Sequence, residues 1–302
     1  PTAPAADPPA EGSVKNPTKN VIRVINDWAE KVLKIRLSNV NIKQDDSSTY
    51  ADGKKEESIG RVSGMTVKGS GNTKLELDGK NVLDSTDAAG AAGLYKDNGD
   101  GWLTITDETD DQGKEITSAK KDGSGSLTAK TEKLYGGAAI GGVGKKDTKN
   151  IIIEGYATVN ALGSECGAGI GGGAEGSGQN IKITGGTVNA SGWAGAGIGG
   201  GVNCSGSHVT VSGAAQVTVT ASKSSDWDSA DTGATIGNGS TRTPDGKSAD
   251  GKEIQADING LTTGYIHHII YNPLLNWNDE PDTILKAVSY THLRAHETRR
   301  HL

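Results

Sequence analysis

Asp226, Asp228 and Asp231 surround Trp227, and a second tryptophan, Trp193, stands in a stretch otherwise built of Gly, Ser and Ala. An indole offers a flat apolar face with one polar N–H, and carboxylates accept hydrogen bonds from hydroxyl groups. That combination suits a sugar. Trp193, Trp227, Asp226, Asp228 and Asp231 are therefore the expected ligand-binding residues. The competing role for Trp193 is to cover a corner of the fold. Both tryptophans precede an Ala-x-Ile segment, at Ile198 and Ile236, which gives them equivalent places in a repeat.

Other candidates are weaker. Asp97-Asn98-Gly99-Asp100-Gly101 has the look of a calcium loop but lacks the one, three, five oxygen spacing and the distal Glu of an EF-hand, so a turn is expected. No cofactor is called for, and calcium is the one cation left open. Asp107, Glu108, Asp110 and Asp111 read as a solvated acidic insertion. GAGIGG at Gly167–Gly172 and Gly195–Gly200 contains G-x-G-x-x-G. That fingerprint works between a strand and a helix, whereas here a polar loop and another strand follow. The glycines are better read as corners where backbones approach closely. His208 among many Ser and Asp residues has no fixed triad geometry. Cys166 and Cys204 fall at opposite ends of neighbouring strands when the repeats are aligned, which disfavours a disulfide without excluding it.

The elements behind these residues emerge from composition and periodicity. The 302 residues include 45 Gly, no Phe and a net charge of −6. Ile, Val and Leu together make up about 18% of the chain, low enough to suggest disorder, but the high net charge that accompanies disorder is missing. A core that is thin everywhere fits better. No basic stripe marks a nucleic-acid binder, and no run of eighteen apolar residues marks a membrane span.

Segments such as VIRVI, TKLELDG, NIIIEG, NIKITGG and SHVTVSG are short, β-branched and closed by Gly, Asn or Asp, which is the strand signature. Asn26–Leu33 is the only helix candidate, and a short one. The decisive feature is a repeat anchored on Ile140, Ile170, Ile198 and Ile236, spaced 30, 28 and 38 residues apart. Each unit runs Ala-x-Ile-Gly, polar loop, strand, Gly-containing turn, second strand. Period-two alternation points Ala168, Ile170, Ile181, Ile183, Val188 and Ala190 inward, with Ala196, Ile198, Val209, Val211, Val217 and Val219 as their partners one unit on. Three short strands per unit without helices predict an all-β chain, a right-handed parallel β-helix (solenoid) of six to seven coils. At roughly 4.8 Å per coil it forms a rod of about 30 Å.

Residues 1–20 hold five of the eight prolines and read as a linker. Residues 21–286 are the expected β-helix. Ala287–Thr298 reads AVSYTHLRAHET, the translation of a transposon-end adaptor, so residues 287–302 are read as a sequencing-adaptor artefact. The native chain is expected to continue past Lys286 and to have a cut or processed N-terminus.

The GAGIGGG…IKITGGTVNA unit resembles the glycine-rich repeats of secreted surface proteins from Gram-positive, gut-type bacteria, often described as carbohydrate-binding or right-handed β-helix proteins. The resemblance covers about Leu75 to Asn238. It implies an extracellular or cell-surface setting and a non-enzymatic, adhesin-like module with a glycan, cell-wall or host surface as partner. The rival readings are a polysaccharide lyase or glycoside hydrolase on the same scaffold, and a ligand-free spacer. An enzyme of either kind needs carboxylates with a cation or flanking a bond, and a basic residue at the reacting centre. Outside residues 287–302 the arginines are Arg23, Arg36, Arg61 and Arg242, none adjacent in sequence to an acidic cluster.

Overall fold

A computed structural model describes residues 12, 16–110, 112–118, 125–131, 136–222, 231–242, 247–271 and 289–292. The described residues are all strand, turn and loop. Asn26–Leu33 contains a turn and the start of a strand, not a helix. Its exposed Trp28 and Val32 explain why: an isolated turn of helix would have had nothing to pack on.

Three parallel sheets wind around one axis, and successive strands visit the first, second and third sheet in turn. The first sheet runs from Ile22–Ile25 to Ile236–Gly237 through seven strands, the second from Leu33–Ser38 to Gly206–Val211 through six, and the third from Asn41–Asp45 to Tyr265–Tyr271. This is a parallel β-helix of seven coils. Ser289–His292 adds an antiparallel strand against Ile266–Ile269. Thr18, in the proline-rich segment, bridges to Ile42 at the opposite end.

The register follows the repeat. Ile140, Ile170, Ile198 and Ile236 stack in consecutive coils, and the stack extends back through Leu94, Met65 and Ile22. In the second sheet Ile181 lies over Val209 and Ile183 over Val211. In the third, Val188 lies over Val217 and Ala190 over Val219. All these side chains except Ile22 are buried. Full burial of one such aliphatic group stabilises the fold by roughly 1.5–3 kcal/mol, so a narrow core of small layers suffices.

Two kinds of residue make the corners. Gly171 has φ +141°, and a Cβ there would lie 1.9 Å from the Gly199 carbonyl oxygen; only hydrogen fits between the coils. At the start of the second sheet, Asn150 and Asn180 are left-handed (φ 64° and 54°), a conformation Asn tolerates. Their amides form a stack: Asn180 Nδ2 donates to Asn150 Oδ1 at 3.0 Å, and Asn150 Nδ2 donates to the Asp100 carbonyl at 2.9 Å.

Candidate functional site

Trp193 lies at the corner between the third and first sheets. The Gly195 N–H donates to the Glu165 carbonyl at 3.0 Å, and the Gly233 N–H to the Trp193 carbonyl at 2.6 Å. Glu165, Trp193 and Asp231 therefore hold the same corner position in successive coils. Trp193 and Asp231 are half-buried, whereas Glu165 is buried. Asp231 Oδ2 is shielded from solvent and accepts no hydrogen bond among the described residues. Asp226, Trp227 and Asp228 lie outside the described residues.

Cys166 and Cys204 do not form a disulfide. Cys166 packs in a small satellite cluster with Ala174, Ala194 and Val202. Burial pushes the Cys204 thiol pKa up, against a hydrogen bond with Ser177.

The acidic insertion is not a solvated loop. Asp107 is fully buried and accepts the Gly125 N–H at 2.7 Å. Glu76 Oε1 accepts the Glu108 and Thr109 N–H groups at 2.9 and 2.7 Å and the Thr109 hydroxyl at 2.8 Å. Arg36, one coil further back, pairs with Asp78 and donates to the Asp110 carbonyl at 2.7 Å and to Thr109 Oγ1 at 2.6 Å. The residues after Leu103–Thr106 thus fold back as a flap over the outer face of the second sheet. Asp111 lies outside the described residues.

Flap and sheet enclose a groove of about 300 Å³ lined by Lys34, Arg36, Lys74, Glu76, Glu108 and Thr109, among others. Lys74 bonds Glu108 at 2.7 Å and Glu154 at 3.1 Å. Burial alone would lower the Lys74 pKa, but the two carboxylates outweigh it and hold the ammonium charged above its ordinary range. Trp102 stands on the same outer face: Lys74 pairs with Thr104, and two residues along a strand is roughly 7 Å. Trp102 is half-buried, and Lys182 of a later coil places its ammonium 4.7 Å from the ring centroid. Sequence reasoning missed this tryptophan, although WLTIT marks a strand entry and its alternation points Trp102 to the outside.

A second polar cluster closes the last coil. Glu253 accepts the N–H groups of Thr235 and Ile236 and the Thr235 hydroxyl, the last at 2.9–3.0 Å. Thr235 Oγ1 is also 2.6 Å from His268 Nδ1. A carboxylate held by two amides is an acceptor only, so the hydroxyl proton goes to Glu253 and His268 Nδ1–H donates to Thr235. Beside this relay lies a cavity of about 240 Å³ lined by Glu253, Ile254, Ala256, Ile258, Ile266 and His268.

Among the described residues no group of three or more His, Cys, Asp or Glu side chains could hold a metal ion, and no helix is long and apolar enough to cross a membrane. No family model matches the chain, and neither a curated protein nor a solved structure matches it.

Proposed function

We infer that the chain is a non-enzymatic, extracellular surface module that binds an extended carbohydrate along the outer face of its second sheet. The groove beneath the flap, continued by Trp102, carries this reading. A rigid solenoid presents side chains at a fixed spacing of about 4.8 Å per coil, which suits a polymer of repeating units. Trp102 offers a ring for stacking, the exposed Lys34 offers donors, and the carboxylates of Glu76 and Glu108 have lone pairs beyond those bonded to the flap and to Lys74 for hydroxyl groups. The resemblance of the GAGIGGG repeats to surface proteins points to the same setting. The Trp193–Asp231 corner, on another side of the rod, is the competing contact surface for the same ligand class.

Binding on so open a face is expected in the micromolar-to-millimolar range, about 4–8 kcal/mol. A glycan array of residues 18–286, with and without calcium, tests it. Retained glycan on the array supports the reading, and no binding to any glycan returns the molecule to a spacer.

One observation favours an enzymatic reading: Arg36 meets Asp78, Thr109 and the Asp110 carbonyl in space although it is distant from them in sequence. Basic and acidic groups do converge, as a polysaccharide lyase requires. Their hydrogen bonds, however, are spent on one another and on the flap backbone, which makes a wall rather than a reacting centre. Accumulation of unsaturated oligosaccharide from an acidic polysaccharide would decide for the lyase.

A further inference from the structure

The Asp97–Gly101 turn encloses a cation that belongs to the chain itself. Lys96 ends the strand Leu94–Lys96 of the first sheet, and its side chain is 2% exposed. Its Nζ lies 2.8 Å from the Asp97 carbonyl oxygen, 3.0 Å from Asp97 Oδ1 and 3.3 Å from the Gly99 carbonyl oxygen. Three N–H donors meet three oxygens, which satisfies the ammonium completely. The Asp97 carboxylate is fixed from the other side: Oδ1 accepts the Gly99 N–H at 3.1 Å and Oδ2 the Gly69 N–H at 3.2 Å. The turn cannot drift outward or inward freely, because it is stacked on the preceding coil. A Cβ on Gly101 would come within 2.2 Å of the Gly71 carbonyl oxygen, and one on Gly99 within 2.6 Å of that of Gly69. The cage is therefore built by the backbone of the turn together with the Asp97 carboxylate, and not by the lysine.

Two carbonyls and a carboxylate are hard oxygen ligands of the type calcium takes, with water completing its six to eight positions. Asp100 is already paired with Lys149 at 2.7 Å, so the negative charge of the seat comes from Asp97. We propose that the Asp97–Gly101 corner is a cation-binding corner in which Lys96 is the resident cation, and that calcium takes the seat when the ammonium is removed. The tethered charge makes the native corner independent of the calcium in its surroundings. The reading does not depend on the carbohydrate site.

Thermal melting of the full chain in calcium and in EDTA tests it, using the native protein, Lys96→Met and Lys96→Met/Asp97→Asn. Methionine keeps the length of the stem and removes the charge. The native melting temperature is expected to be the same in both media. Lys96→Met should melt lower in EDTA and recover in calcium, half-maximally at roughly 10⁻⁴–10⁻³ M, the range of weak extracellular sites. The double variant should not recover. Equal melting of Lys96→Met in calcium and EDTA would overturn the proposal, as would equal rescue of the double variant. Should Lys96→Met not fold in EDTA, refolding with calcium gives the same readout: recovery supports the seat, and failure to recover overturns it.

Discussion

His268 lies directly over Val219 in the inward ladder of the third sheet, a position held in the earlier coils by Ala190, Ala161, Ala129, Leu83 and Ile42. The ladder turns polar only in the last coil. Thr235, over the small Gly197 of the previous coil, supplies the hydroxyl that links His268 to Glu253. This trio ends the apolar core with a hydrogen-bonded chain from His268 Nδ1 through Thr235 to Glu253. Thr235→Val keeps the shape and removes the link, leaving buried polar groups unmet. A loss of roughly 1–3 kcal/mol in urea unfolding is expected; an unchanged midpoint would show that the relay contributes nothing to the end of the solenoid.

Ile170 stands in the middle of the first-sheet ladder, fully buried between Ile140 and Ile198. A carboxylate there would be unpaired. Ile170→Asp should cost more than about 4 kcal/mol, the size of the severest core lesions, and Ile170→Val only about 0.5–1.5 kcal/mol. A soluble aspartate variant with the native melting profile would contradict the register.

The flap hangs on Glu76 through three hydrogen bonds to one oxygen. Glu76→Ala should loosen residues 107–110 and 112–118 while the coils remain folded. Limited proteolysis is expected to cut the flap faster, with the global midpoint moving by less than about 1.5 kcal/mol. Cleavage at the native rate would mean that Arg36 and Lys74 secure it without Glu76.

Much of this architecture was legible from the residues, and for a physical reason. Inward positions of a strand repeat every second residue, and a coil repeats its corners, so Ile170, Ile181 and Val188 declare both their direction and their partners. The outer face obeys no such period. Glu76 meets Thr109 across 33 residues and Arg36 meets it across 73, distances set by loop lengths that differ from coil to coil. The pinned flap, the setting of Trp102 and the closure by His268 were invisible for that reason. Lys96 was invisible for another: its ammonium turns back into the neighbouring turn, where a charged residue on a strand is ordinarily read as pointing to water.

Residues 287–302 carry the strand Ser289–His292 within the stretch that reads as an adaptor translation. Truncation after Lys286 should leave stability within about 0.5 kcal/mol, as changes outside the packed core do. A larger loss would make the antiparallel strand a working part of the third sheet.

The most direct test of the proposed function is one binding titration repeated on three proteins: native, Trp102→Ala and Trp193→Ala, each with a glycan retained on the array. The second-sheet groove predicts that Trp102→Ala weakens binding at least about tenfold, or 1.4 kcal/mol, with an unchanged melting temperature, and that Trp193→Ala binds as the native protein does. Native-strength binding by Trp102→Ala, with the loss falling on Trp193→Ala, would contradict it and move the site to the Trp193–Asp231 corner.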